Sequence, residues 1–594
     1  MTKTFLVLSV LVLASIFLLY RDVLLAYGNS VTQILIIDIP QRILSSHRVD
    51  RLEFHSPHEY RPDGFLVVNP DAEHPIPELI ARAEARWQMK RSRASKTLRA
   101  AVSEYRRRYN RAPPPGFDRW WNYVQDHNVQ LPDEYDQIYR DLEPFWGMNP
   151  KELQILTAHE EHNVDTYTIG KNSTSKVGIV NKSFSDPENW AEKNLLRGAH
   201  DIIELVQDIE HLLPPFRAVV SPLDNPMFVS DHALRSGLVD AASRKKTLSL
   251  ADYPPLAPPG FLSACPPGSP AFDRPIDLDH PPPASSQAKF IADHRQTMDP
   301  CQHPSLFYIH GEFIAHDLGP PPESVMRPRF ANCATTVHHD IQIPTLLSWV
   351  EDILPRSEDP EWEQKLDDRM TWRGSNTGIW FSNATRWNVT QRVRLVNQAN
   401  DQSGTVSVLL PPEDESEAVG TGTEMAKGLL NPLMFDIAFA GQPIGCAEET
   451  CEQLADLFDW ERRQSIAEAG QFKYIFDIDG NAWSSRFKRL ITSNSLVFKS
   501  TIYPEWFLDR IEPWVHYVPV QMDLSDFYDT FVFFHGGIYG EGEHEDLAMK
   551  IASEGRTWSK SFWRKEDMTA YIFRLFLEYS RVMSLDRDDM NFTL

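Results

Sequence analysis

Three groups of residues give this chain its capacity for chemistry. The first is Asp479-Gly480, followed by Ser484, Ser485 and Arg486, in which a glycine turn, two hydroxyls and a guanidinium stand at the start of a helix. Free backbone N–H groups and the helix dipole both favour an anion at such a place, so the stretch reads as a phosphate cradle. The second group is Trp372 to Gly378, WRGSNTG, where Arg373, Gly374, Ser375 and Thr377 repeat the combination and Arg386, Arg392 and Arg394 follow on a predicted helix. The third is Asp224, in Ser221-Pro222-Leu223-Asp224-Asn225-Pro226, directly after the apolar run Phe216–Val220. A carboxylate in a proline-stiffened loop at the carboxyl end of a strand lies where α/β sheets keep their chemistry, although an Asp in a turn also serves as a plain Asx cap.

The elements that must position these groups read as an alternation. Tyr474-Ile475-Phe476 predicts a strand, the serine pair opens a helix, and Leu496-Val497-Phe498 and Val515–Val520 predict two more strands, as in a parallel sheet covered by helices. Upstream, Tyr60–Val68 reads as a turn feeding a strand, and Glu78 to about Tyr109 as one strongly helical run ended by Pro113-Pro114-Pro115. Trp120 and Trp121 fit core packing, with a sugar-stacking role as the alternative. An amphipathic helix over 187–215 leads into the strand before Asp224. The span 251–285 is proline-rich, and 400–430 reads as an exposed acidic loop before Leu433–Ala438 resumes order. Helical spacing returns in Asp546–Ala552 and Met568–Met583.

Several function classes are disfavoured. The net charge of −24 opposes general nucleic-acid binding. The basic residues Lys90, Arg91, Arg93, Lys96, Arg99 and Arg106 to Arg108 read as a solvated helix face balanced by acidic neighbours. No P-loop or GxGxxG occurs, which weakens ordinary NTPase and dehydrogenase readings. His338-His339-Asp340 offers three ligand types in a row, but adjacent side chains on an extended segment point to opposite faces, so no shared metal is expected.

At 594 residues the chain is too long for one core, which predicts two domains and a membrane-proximal stem. Phe5 to Tyr20 is almost wholly apolar, with Lys3 before it and Arg21 after it, and reads as an uncleaved signal anchor. A lumenal body fits the sequons at Asn172, Asn181, Asn383, Asn388 and Asn591. The five cysteines, Cys265, Cys301, Cys333, Cys446 and Cys451, lack metal-finger spacing; one or two disulfides and at least one spare thiol are expected. Two phosphate cradles and a strand-end carboxylate in a secretory lumen would together suit a nucleotide-sugar donor and an acceptor base.

WRGSNTG, the run from Lys473 to Arg489, LVFKS, EWF and WVHYVPV resemble glycosyltransferase family 90, which contains capsule-associated glycosyltransferases and protein O-glucosyltransferases. Upstream, YRPDGFLVVNP, HPIPELI, YRRRYNRAPPPGFDRWW and LEPFWGM look like the amino-terminal half of its fungal branch. The resemblance implies an α/β, GT-B-like fold of two Rossmann-like domains facing a cleft. The expected partition is 1–28 signal anchor, 29–110 stem and helical region, 111–335 acceptor and base domain, 336–560 donor domain, and 561–594 terminal helix and tail.

By the same resemblance Arg486 grips a diphosphate beside Ser484 and Ser485, while Ser375 and Arg392 complete the donor site. Asp224 is then the base in an inverting transfer of glucose or xylose from a UDP-sugar to a glycan or glycoprotein hydroxyl, with no cofactor required. The alternative is a catalytically silent, glycan-binding family member. Two departures stand out. Asn376 occupies a place where protein O-glucosyltransferases carry Arg. Asp477-Ile478-Asp479 spells a DxD where relatives have uncharged or basic residues, and it is read as turn chemistry rather than a manganese site. With no ER-retention tetrapeptide at Phe592-Thr593-Leu594, a single-pass type II protein of the Golgi or ER membrane is expected, tilted toward the Golgi.

Overall fold

The apolar run around Tyr474 forms a strand in a sheet buried on both faces, as parallel sheets covered by helices require. A computed structural model describes residues 56–594, apart from 186–193, 256–259, 275, 284–286, 316–318, 355–356 and 415. The expected anchor, most of the stem and the opening of the helix expected over 187–215 lie outside the described residues. Among the described residues no helix is long and apolar enough to cross a membrane. The chain from Pro57 to Leu594 forms one unit of mixed α/β structure.

Its first half holds a five-stranded sheet of β1 (Thr166–Lys171), β2 (Gly178–Ser183), β3 (Phe216–Val220), β4 (Arg329–Ala331) and β5 (Ile341–Gln342), in spatial order β2-β1-β3-β4-β5. β1 is antiparallel to both neighbours, whereas β3, β4 and β5 run parallel. The second half holds a wholly parallel sheet of β6 (Asp367–Gly374), β7 (Phe435–Ala440), β8 (Trp460–Glu461), β9 (Phe472–Ile478), β10 (Leu496–Ser500) and β11 (Val518–Pro519). Its spatial order is β8-β7-β6-β9-β10-β11, so the direction of winding reverses between β6 and β9. A reversal of this kind opens a crevice beyond the carboxyl ends of the two central strands.

The helical run expected over Glu78–Tyr109 is two helices, α1 (Pro75–Arg93) and α2 (Leu98–Tyr109). They part at Ala94–Thr97, where Thr97 leaves the helical region and its hydroxyl accepts from Ala100 N–H to cap α2. Their basic residues meet acids: Arg86 and Lys90 pair with Glu512, and Arg108 with Glu104, Glu134 and Asp136. The acidic loop expected over 400–430 contains an antiparallel hairpin, Thr405–Val408 with Thr423–Ala426. Val515–Val520 yields strand only at Val518–Pro519, because Trp514 turns at φ 66° and its N–H closes onto Tyr517 O.

Four further helices shape the site: α3 (Gln391–Asn400), α4 (Phe487–Ile491), α5 (Glu545–Phe562) and α6 (Lys565–Met583). The last returns the chain to the first half. Phe576 stacks on Phe216 at 4.2 Å between ring centroids, Tyr579 donates to Arg217 O, and Trp120 Nε1 donates to Ala570 O. Trp120 and Trp121 are thus buried packing residues of this region. On α6, Arg574 and Arg581 both pair with Glu578, which satisfies charges that burial would otherwise leave exposed to a low dielectric.

Candidate active site

Strands β6 and β9 lie side by side and end at the same edge, so the WRGSNTG loop and the Asp479–Arg486 turn emerge together at the winding reversal. Arg392, on α3, ties the loops. Its Nε donates to Asp479 O at 2.9 Å, and one terminal nitrogen donates to Ser375 O at 2.9 Å and Thr377 Oγ1 at 2.6 Å. Burial, then the nearby Arg486 charge, pulls the Arg392 guanidinium down to about 9, with Asp477 and Asp479 opposing.

Arg486 stands at the start of α4 and donates to Arg373 O at 3.0 Å. Its other terminal nitrogen is buried, lies 3.5 Å from Asp477 Oδ1 and makes no hydrogen bond among the described residues. Burial lowers its pKa while Asp477 opposes the shift. Both guanidinium carbons sit 5.6 Å from the Trp372 ring centroid. Two neighbouring cations with a spare buried donor, at the carboxyl edge of a parallel sheet, make a place where an anion is stabilised.

The other expected cradle residues divide. Arg373 points along the sheet to Asp436, pairing at 2.7 Å, rather than toward Arg486. Gly374 ends β6, and Ser375 and Thr377 meet Arg392 through a carbonyl and a hydroxyl. Gly480 passes close to Arg392, where an added Cβ would lie 3.0 Å from the guanidinium. Ser484 Oγ donates to Asp477 Oδ1, and Ser485 borders a small cleft with Asn332, Trp349, Trp483 and Glu505. Asn376 pins the loop through two hydrogen bonds to the Ile444 backbone.

The acids of the DxD are turned inward. Asp477 accepts from Ser484 and meets Lys499 at 3.1 Å, while Asp479 accepts from Ile502 N–H at 2.9 Å and lies 3.3 Å from His310 Nε2. Among the described residues no group of three or more His, Cys, Asp or Glu stands where one ion could be held.

Asp224 arrives from the first sheet. Ser221 N–H extends the β3–β4 ladder to Phe330 O, and the chain then turns out toward the cradle. The Asp224 side chain is solvent-exposed within the cleft; partial desolvation raises its pKa, opposed by a hydrogen bond from the Asn481 side chain. Next to it, Asn225 Nδ2 donates at 2.7 Å to both Glu312 Oε2 and Asn481 O. Glu312, pushed up to about 8 by burial, also accepts from Tyr503 OH at 3.0 Å. Behind the loop, Asp340 accepts the N–H groups of Met227 and Phe228, and His339 stacks on Phe228. His338 instead contacts Thr335 and Glu312, while His339 and Asp340 both meet Phe228, one through its ring and the other through its N–H.

Gly311 and Gln391 complete the seam. A Cβ on Gly311 would fall 1.8 Å from Gly378 O, so only glycine lets these backbones meet, and Gly378 itself takes φ 135°. Gln391 accepts from Gly311 N–H and donates to Gly480 O, each at 3.0 Å. Spacing pointed to none of Gln391, Glu312, Tyr503, His310 and Asn481, because their partners lie far away in sequence.

Of the sequons, Asn172, Asn383 and Asn388 are exposed, and Asn181 is half-buried with its amide donated to Glu161 O. Disulfides join Cys265 to Cys301 and Cys446 to Cys451, leaving Cys333 as a buried thiol that donates to Asp224 O. These match the expected one or two bridges and spare thiol.

Comparison with known proteins bears on the second half. Residues 447–590 match the model of Glycosyl transferase family 90. This span contains the Asp479–Arg486 turn, β10 and β11, and excludes WRGSNTG and Asp224. Protein O-glucosyltransferase 1 of Rattus norvegicus is 36% identical over 115 residues, covering 19% of this chain and 28% of the relative. The O-glucosyltransferase rumi homolog of Aedes aegypti is 34% identical over 119 residues (20% and 28%), and protein O-glucosyltransferase 2 of Danio rerio 31% over 113 (19% and 21%). The chain thus spans about a quarter of the length of the curated relatives it matches.

Proposed function

We propose that this chain is a glycosyltransferase that moves a sugar, glucose or xylose, from a UDP-sugar to a hydroxyl on a glycoprotein or glycan. One observation carries the reading: the loop bearing Asp224 touches the turn that leads to Arg486, although they come from different sheets. In this account the cleft lies between two Rossmann-like halves in the GT-B manner. The donor diphosphate lies against Arg486 and the loops held by Arg392, and Asp224 faces the acceptor. The family match over residues 447–590 and the relatives' names support the activity class.

The chemistry follows from placement. Asp224 takes the proton of the acceptor hydroxyl as its oxygen attacks the anomeric carbon from the face opposite the leaving group. The bond from that carbon to the phosphate oxygen breaks, and the electrons leave with the diphosphate. Arg486 has a donor free for that developing charge, in a setting preorganised by burial. A single displacement inverts the anomeric centre. The arginines supply positive charge without a metal in this reading, and residues 1–28 act as a signal anchor that holds the body in the Golgi or ER lumen. Two disulfides fit an oxidising compartment.

A screen of UDP-sugars by UDP release, on the full-length chain with and without glycoprotein acceptors, tests the proposal. Acceptor-stimulated release with one donor is expected. Binding of UDP without turnover of any donor would favour the silent, glycan-binding alternative.

A further inference from the structure

We propose that the cleft walled by α1, the turn at 127–130 and the carboxyl-terminal half of α5 binds an acidic saccharide, a sugar ring that carries a carboxylate. The cleft encloses about 330 Å³, within the range of small-molecule sites, and shares no lining residue with the cradle or the Asp224 loop. The inference concerns binding alone and does not depend on the proposed sugar transfer.

The three walls are fixed before any ligand arrives. Arg86 and Lys90 on α1 pair with Glu512, which holds that helix against the stretch leading to His516. Asn128 turns the chain at φ 50°; Arg564 donates to His127 O and Asn128 O, and Arg510 donates to Gln130 O. On the third side, a Cβ on Gly555 would fall 2.3 Å from His516 O, so glycine is what lets α5 lie against this backbone. Trp558 Nε1 adds a hydrogen bond to Arg510 O.

The lining divides by chemistry. Its inner part is aromatic: Trp87, Trp558 and Phe562 are buried, and Trp87 meets the His516 ring edge-on at 4.5 Å between centroids. Its outer part carries the amides of Asn128 and Gln130 and the hydroxyls of Thr557 and Ser561. Amides and hydroxyls both donate and accept, which matches the hydroxyls of a sugar. Rings beneath a few convergent polar groups compose a site for an organic ligand rather than for a bare ion.

Charge selects the acid. Arg91, Lys560 and Arg564 line the cleft, against Glu554 as the single acid among the described residues there. Lys560 and Arg564 are engaged by Asp352 and Asp567, whereas the exposed Arg91 has no ion pair or hydrogen bond among the described residues. A chain of net charge −24 repels anions at long range, so an unopposed guanidinium beside polar groups is a local exception. Its planar fork fits a carboxylate through two parallel hydrogen bonds. A free phosphate would meet the same fork but leave the rings and amides unused.

Calorimetric titration of the full-length chain with a glucuronate-containing tetrasaccharide, a neutral glucose tetrasaccharide and inorganic phosphate tests the site. The acidic saccharide is expected to bind about tenfold tighter than either control, and more weakly as salt is raised. Arg91→Glu should weaken that binding by about ten- to hundredfold. Thr557→Trp, which fills the cleft from its exposed edge, should abolish it, and both variants should melt like the wild type. Equal binding of the neutral saccharide would overturn the carboxylate assignment, and phosphate binding as tight as the saccharide would overturn the sugar. Absence of binding in the wild type, or binding unchanged in the variants, would overturn the site itself. If Thr557→Trp fails to fold, Arg91→Glu decides alone, because it alters only an exposed side chain of α1. Failure here leaves the proposed function standing, and a chain that turns over no UDP-sugar leaves this inference standing.

Discussion

The cradle beyond β6 and β9 and the Asp224 loop beyond β3 meet in one cleft, yet they are held in different ways. In the cradle, Arg392 is buried and makes three hydrogen bonds to the two loops it ties, and Asp477 is locked between Ser484 and Lys499. The positive charge is set by the second half's own sheet edge. Asp224 is exposed, and its neighbour Asn225 donates to Asn481 O of the opposite half. The cradle is tied within its own half, whereas the Asp224 loop is held by Cys333, Glu312 and Asp340 of its own half and also by Asn481 of the other. A change in the second half can therefore reach the Asp224 loop, while a change at Asp224 should leave the cradle intact.

That asymmetry can be broken in graded steps. The largest effect is expected from Asp224→Asn, which removes the base of the proposed mechanism; steady-state transfer should fall by about 10²–10⁴-fold with little loss of melting temperature. Arg486→Ala should cost about 10²–10³-fold in turnover. Lysine at that position should not restore it, because its compact ammonium lacks the forked donors that reach both Arg373 O and a bound oxyanion. Gly311→Ala acts on the seam: crowding Gly378 O should lower the unfolding free energy by about 1–3 kcal/mol in urea titration. The smallest effect concerns Cys333. Buried, and with its thiol pKa raised by that burial, it should resist alkylation in the native protein and react only after unfolding.

The strand, turn and helix from Tyr474 to Leu490 were legible in the sequence because their signal is local. An apolar run, a glycine turn, hydroxyls and an arginine within a dozen residues specify strand, turn and helix together. The limits were also local. Arg373 has the right residue type next to the right glycine, yet its side chain turns to Asp436 on β7, a neighbour that spacing along β6 does not reveal. The break between α1 and α2 hinges on a threonine cap inside a continuous amphipathic pattern. Glu312, Gln391 and Asn481 carry no local signature: an amide or acid in a loop looks the same whether it faces solvent or bridges two sheets. Their roles come from long-range closure.

The most direct test of a single site shared by two halves is a side-by-side measurement on the full-length chain of UDP binding by calorimetry and donor turnover by UDP release in Asp224→Asn and Arg486→Ala. The account predicts that Asp224→Asn binds UDP like the wild type but does not transfer sugar, while Arg486→Ala loses both. Turnover retained in Asp224→Asn, or undiminished UDP affinity in Arg486→Ala, would contradict it.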